Sequence, residues 1–215
     1  MQIELTRLGK RYNRHWIFRG LDKLILSGSR TAIAGANGSG KSTLLQVIGG
    51  SLDRSEGSVK FIDDGQAAEP DDHFALVGFC TPYLELPEEL SLVEFLEFHG
   101  KFKQWLPGLD ASLIIDIMGL QKARDKWVRD FSSGMKQRVK LAQALMTTAP
   151  VVLLDEPTSN LDEKGIGSYF EWVEKFTAGK TLLVASNDAR EIDFCNETIL
   201  ISDYWPQSAA GIRNG

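Results

Sequence analysis

Gly35-Ala36-Asn37-Gly38-Ser39-Gly40-Lys41-Ser42-Thr43 is the stretch from which the fold is read. It satisfies G-x4-G-K-[ST], lies directly after an apolar run (Arg30 to Ala34) that reads as a strand, and precedes a helix expected from Lys41 to about Ile48. Each residue type has a chemical reason. Glycines let successive backbone N–H groups turn inward around phosphate oxygens, and the helix N-terminus that follows adds a favourable field. Lys41 is placed to reach the β- and γ-phosphates and the Ser42 hydroxyl to ligate Mg²⁺, with Gly35 through Thr43 wrapping the phosphates. A turn that only bends the chain has no need of that Lys and Ser. The expectation is a nucleoside triphosphate site.

A second signal lies downstream. Val151-Val152-Leu153-Leu154-Asp155-Glu156 is an apolar run ending in two carboxylates. Such a run reads as a parallel strand buried on both faces. Ligands of open α/β sheets bind at the carboxyl ends of such strands. Asp155 is therefore expected to hold Mg²⁺, through water, and Glu156 to orient and deprotonate an attacking water.

Outward from these two motifs, strands and helices alternate. Ile3 to Leu8 alternates apolar and polar, and Trp16 to Phe18 is a second apolar stretch. Lys23 to Leu26 and Arg30 to Ala34 flank Ser27-Gly28-Ser29, which reads as a hairpin turn. Gly57 to Ile62 and Phe74 to Phe79 look like strands separated by an acidic loop, Asp63 to Asp72. Ser91-Leu92-Val93-Glu94 fits a capping box and predicts a helix to about Trp105. Asp110 is placed to cap a helix ending near Gly119, and Val139, Ala142 and Leu145 recur at helical spacing. The last third alternates again: Val151 to Leu154, a helix after Asp162, Thr181 to Ala185, a short helix from Asp188, and Thr198 to Ile201. This order predicts an α/β core with a helical insert at about residues 85–145.

The composition limits the alternatives. The chain has 215 residues and a formal charge of −5, so a single domain is expected. No uninterrupted apolar run exceeds four residues, far short of the roughly 18 that a membrane span needs. Met1 to Leu5 does not read as a leader. The acidic balance opposes nucleic-acid binding driven by overall charge. Lys122, Arg124, Lys126, Arg129, Lys136, Arg138 and Lys140 crowd one stretch, interrupted by Asp125 and Asp130, and are expected to form a solvated face. Cys80 and Cys195 fit no metal spacing, and a reducing cytosolic compartment is the simplest reading. No Asn-Lys-x-Asp guanine-reading pattern occurs, which disfavours a GTPase.

Two further motifs carry a family resemblance. Phe131-Ser132-Ser133-Gly134-Met135-Lys136-Gln137-Arg138 resembles the Leu-Ser-Gly-Gly-Gln signature of the ATP-binding cassette (ABC) family, and Pro157-Thr158-Ser159-Asn160-Leu161-Asp162 resembles its D-loop. The chain is similar to a stand-alone nucleotide-binding subunit of an ABC transporter along nearly its whole length. The resemblance implies an α/β fold: a P-loop NTPase core with a parallel sheet, an N-terminal antiparallel β subdomain and an inserted α-helical subdomain, all within one domain, 1–215. It implies ATP with Mg²⁺, a second ABC subunit (identical or different) and a membrane permease, which places the chain in the cytoplasm on the inner face of the membrane. Ser132, Ser133 and Gly134 would contact the γ-phosphate held by the opposite subunit, with Asp162 in the same group. Tyr12 lies where the adenine-stacking aromatic usually does, and Trp16 is its rival. The region Thr81 to Phe98 would dock the permease, with Leu84, Leu86 and Leu90 as candidate contacts.

Ser133 and Met135 replace a Gly and the Gln of the signature, and function is expected to survive because Ser133 keeps its backbone donor. Two other departures bear on activity. Pro82 stands where the family has a glutamine that touches Mg²⁺ or the attacking water, and proline offers neither a side-chain ligand nor an N–H; Thr81 beside it has a hydroxyl. Asn187 stands in place of the switch histidine. It can donate an amide N–H to the γ-phosphate but carries no proton, which implies catalysis by Lys41, Glu156 and Asn187 at a slowed rate. The alternative function is a non-transport ABC ATPase acting as a soluble regulator of nucleic acid or ribosome, with the basic stretch as its support.

Overall fold

The computed structural model describes residues 1–69 and 73–206. Its strands form two sheets. In the first, β2 (His15–Ile25), β1 (Gln2–Tyr12), β4 (Glu56–Asp63) and β5 (Gln66–Ala67) lie in that order and pair antiparallel. In the second, β6 (Val77–Cys80), β7 (Val151–Asp155), β8 (Thr181–Ala185), β3 (Arg30–Ala34) and β9 (Glu197–Leu200) lie in that order and pair parallel. The mixed α/β class, with one parallel and one antiparallel sheet, is the one the sequence predicts.

Strands β7 and β8 of the parallel sheet are buried on both faces, and their period-2 geometry divides the core accordingly. Val151, Leu153, Leu183 and Ala185 pack in one cluster with Leu44, Leu45 and Ile48 of α1 (Lys41–Ile48) and with Ile3, Leu8 and Phe61 of the antiparallel sheet. Val152, Leu154, Leu182 and Val184 face the other way, onto α5 (Ser133–Leu145) and α6 (Glu163–Phe176). The same second cluster takes in α3 (Leu92–Phe102) and α4 (Ala111–Met118), which lie in the stretch expected to be the helical insert.

Local signals account for the helix ends. Ser91 and Glu94 make the reciprocal capping box at α3, and Asp110 accepts from Leu113 N at α4, which ends on Gly119 in the left-handed conformation. Asp162 caps α6, and Asp188 caps the short α7 (Ala189–Ile192).

Five sequence expectations need correction. Ser27-Gly28-Ser29 does turn the chain, with Ser29 N donating to Leu26 O at 3.2 Å, but it is no hairpin: β2 and β3 enter different sheets, because β3 finds parallel partners in β8 and β9. The stretch Phe74 to Phe79 splits into a helical turn, α2 (His73–Leu76), and the short strand β6. The acidic loop contains β5, which returns on β4; its residues 70–72 lie outside the described residues. Helix α3 stops at Phe102, before Trp105, since Leu106 N donates to Met146 O and Thr148 N to Gln104 O, an extended pairing incompatible with helix. Strand β9 ends at Leu200, and Ile201 opens a 3₁₀ turn, Ile201–Tyr204.

The basic stretch is solvated only in part. Lys122, Lys126 and Arg129 are exposed as expected. Lys140 is buried and donates to Pro82 O at 2.8 Å, Lys136 pairs with Glu88 at 2.7 Å, Arg138 reaches Met118 O and Asp162, and Arg124 donates to Ser112.

Candidate functional site

The phosphate loop joins β3 to α1 through backbone that only glycine adopts readily: φ is 154° at Gly35, 72° at Gly38 and 108° at Gly40. Space is equally restrictive. A Cβ on Gly35 would lie 2.7 Å from Ile201 Cγ2, and one on Gly40 would lie 2.5 Å from Ile17 Cγ2. Lys41 is 5% exposed, and its Nζ donates to the carbonyls of Gly35 and Ala36 at 2.9 and 3.1 Å. The ammonium thus spans the mouth of its own loop, where phosphate oxygens would meet it.

Three hydroxyl and carboxylate groups meet beside the loop. Ser42 Oγ donates to Asp155 Oδ1 at 2.9 Å, and the buried Thr81 Oγ1 donates to Oδ2 at 3.4 Å. Strand register accounts for the meeting: Cys80 pairs with Leu154, so Thr81 follows β6 out of the sheet beside Asp155. Burial pushes the Asp155 carboxyl upward, opposed by the hydrogen bond from Ser42 and reinforced by neighbouring Glu156. A hydroxyl and a carboxylate side by side form the all-oxygen donor set that suits Mg²⁺. Glu156 follows with φ 44°, its N–H donating to Ala185 O at 2.9 Å.

Asn187, just beyond β8, also comes to the loop: its Nδ2 donates to Asn37 Oδ1 at 2.9 Å. Strand β3 lies beside β8, so the segment after one strand faces the loop after the other. Tyr12 and Trp16 differ in surroundings. Arg11 and Arg19 lie over the Trp16 ring at 5.4 and 4.5 Å, whereas Tyr12 is 48% exposed with Lys10 Nζ at 5.0 Å.

Ser132, Ser133, Gly134 and Asp162 gather elsewhere. With Met135, Arg138, Asn160 and Leu161 they line a cleft of about 380 Å³ that no phosphate-loop residue borders. Ser132 Oγ accepts from Met135 N at 3.3 Å, which makes Ser132 the cap of α5. A Cβ on Gly134 would lie 2.9 Å from Asn160 O. Asp162 accepts from Gly165 N and Arg138, both of which hold its carboxyl below the usual range.

Several supporting residues escaped the sequence reading. Gln137 Nε2 donates to Pro157 O at 2.7 Å, tying α5 to the segment after Glu156. The buried Glu191 accepts from Thr158 N at 2.8 Å and from its hydroxyl. Neither has a local pattern that would single it out. Of the candidate permease contacts, Leu86 is 6% exposed and belongs to the core, and Leu90 packs against it. Leu84 instead lines a cleft of about 600 Å³ with Phe74, Phe79, His99 and Lys103.

Comparison with known proteins bears on the family and the fold. The family model for the ABC transporter matches residues 18–159. The daunorubicin/doxorubicin resistance ATP-binding protein DrrA of Streptomyces peucetius is 29% identical over 97% of this chain, which spans 64% of that protein, less than two thirds of its length. The cytochrome c biogenesis ATP-binding export protein CcmA of Xanthomonas axonopodis pv. citri (strain 306) is 34% identical over 72% of this chain and 71% of its own. The dimeric ATP-binding cassette MJ0796, in a post-hydrolysis state bound to ADP and Pi, superposes with a TM-score of 0.79 at 25% identity, over 92% of this chain and 93% of that one. With a family match over residues 18–159 and a relative 34% identical over 72% of its length, this chain belongs to the ABC transporter family.

Proposed function

We propose that this chain is an ATP-binding and hydrolysing subunit that dimerises on ATP and drives a separate membrane permease. One observation carries the reading: the hydrogen bond from Ser42 to Asp155, which joins the phosphate loop to the acidic end of β7 beside Glu156. Lys41 binds the β- and γ-phosphates, and the loop's N–H groups take their oxygens. Ser42 and Asp155 would hold Mg²⁺, whose chemistry is to neutralise charge on the phosphate oxygens. Glu156 orients and deprotonates the attacking water. Asn187 donates its amide N–H to the γ-phosphate, a role its place against Asn37 supports.

The signature cleft is separate from the phosphate loop, as it would be if Ser132, Ser133 and Gly134 acted on nucleotide held by a second ABC subunit. Tyr12, the more exposed of the two aromatic candidates, is taken as the adenine-stacking residue. Turnover is slow, because Pro82 brings no side-chain ligand and Asn187 no charge. Losing a charge-assisted contact costs about 1 kcal/mol, or several-fold in rate. The cleft between Leu84 and Phe74 is the seat for the permease's cytoplasmic segment. Among the described residues no helix is long and apolar enough to cross a membrane, so the span would belong to that partner. Of the basic stretch, the support for a nucleic-acid regulator, Arg124, Lys136, Arg138 and Lys140 are engaged in internal contacts.

The test is purification of the chain from detergent-solubilised native membranes, with its partners identified by mass spectrometry. A stoichiometric multi-span partner is expected. Recovery of soluble or ribosomal partners alone would overturn the transport reading.

A further inference from the structure

The segment after β9 carries no recognisable motif, yet it lies against the phosphate loop. Ile201 is fully buried and meets the positions a Cβ would take on Gly35 and Gly40, 2.7 and 3.8 Å away. The 3₁₀ turn Ile201–Tyr204 closes with Trp205 N donating to Ser202 O at 3.2 Å, and this aims the indole back at the loop. Trp205 Nε1 donates to Ser39 O at 3.0 Å. We propose that Trp205 is a positioning residue for nucleotide binding: by holding the Ser39 carbonyl, it fixes the orientation of the Ser39–Gly40 peptide and hence the direction in which the Gly40 N–H points.

The reason is the planarity of the peptide unit. In a trans peptide the C=O and the following N–H point in opposite directions, so a carbonyl drawn outward to an indole turns the Gly40 N–H inward. Without such a restraint this peptide is free to rotate, because Gly40 (φ 108°, ψ 8°) imposes little preference of its own. A phosphate cradle needs its N–H groups converging before the anion arrives. An outward-facing carbonyl also needs a donor, and the indole, which only donates, supplies one. Ile17 and Ile201 pack behind the same residues, so Trp205 adds direction to a loop already held in place.

This inference rests on the nucleotide-binding reading above. Its test compares the wild-type chain with Trp205→Phe, which keeps an aromatic ring and removes the N–H, by titration with ATP and with ADP. We expect both affinities to fall about three- to tenfold, the worth of one hydrogen bond. KM should rise with kcat little changed. The second measurement needs no variant that could misfold: the indole ¹H–¹⁵N resonance of Trp205, expected to exchange slowly with solvent and to shift on ADP addition. Equal affinities in the two proteins, or a rapidly exchanging indole proton, would overturn the role of Trp205 and leave the nucleotide site intact. A wild-type chain that binds neither nucleotide overturns both.

Discussion

Glu156 adopts φ 44°, a left-handed conformation that an unbranched carboxylate side chain tolerates at a cost. The strand holds it there: its N–H still pairs with Ala185 O, while Pro157 follows and Gln137 grips the Pro157 carbonyl. The position of the carboxylate is therefore set by the backbone. With Glu156 in the proposed role of base, Glu156→Gln keeps the shape and removes that base, so phosphate release should fall by orders of magnitude while ATP affinity is retained. A variant releasing phosphate at the wild-type rate would exclude Glu156 as the base. Asn187→His, which restores a protonatable group opposite Asn37, should raise kcat several-fold in a steady-state assay. An unchanged or lower kcat would mean that the slow step lies elsewhere, and Pro82 would be the next position to vary.

At the scale of elements, β6 and α5 approach so closely that only glycine fits between them. A Cβ on Gly78 would lie 2.2 Å from Ala144 O, backbone against backbone. Gly78→Ala should destabilise the fold by about 3 kcal/mol or more, read as a lower urea midpoint, because neither side can yield. Helix α3 carries a different sensitivity. His99 lies between Phe95 and Trp105, and burial lowers its pKa to about 4, with Lys103 adding to the effect and the Gln143 carbonyl opposing it. The unfolded chain, near the ordinary histidine value of about 6.5, binds a proton that the folded chain refuses between those two values. Stability therefore rises with pH across that window and is lost as pH falls from 6.5 toward 4, by about 3 kcal/mol at most. Denaturant melts of the wild type and His99→Gln at several pH values check this: the variant should show a flatter profile between pH 4 and 6.5.

On the proposed reading the whole molecule presents two half-sites. The phosphate loop, Asp155, Glu156 and Asn187 make one, and the signature cleft makes the other. A single copy would not close both on one nucleotide, so ATP should drive association. Sedimentation of Glu156→Gln with ATP and Mg²⁺ should show a dimer, and ADP should leave it monomeric. Gly134→Val, crowding Asn160 O, should block that dimer without weakening ATP binding to the monomer. A Gly134→Val, Glu156→Gln double variant that still dimerises would place the contact elsewhere.

Local chemistry made part of this legible. The phosphate loop, the acidic end of β7, the capping box at Ser91 and the caps at Asp110 and Asp162 depend on residues a few positions apart, so each could be read from its own segment. The partners of β3 lie more than a hundred residues along the chain from it. The loop at Ser27 to Ser29 looked like a hairpin because its turn residues are hairpin residues, yet β3 had better partners in β8 and β9. The same holds within the site. Thr81 on Asp155, Glu191 on Thr158 and Trp205 on Ser39 are contacts between distant segments, created by packing and invisible to any local pattern. Residue type declares what a side chain can do, and only the assembled core decides what stands within 3 Å of it.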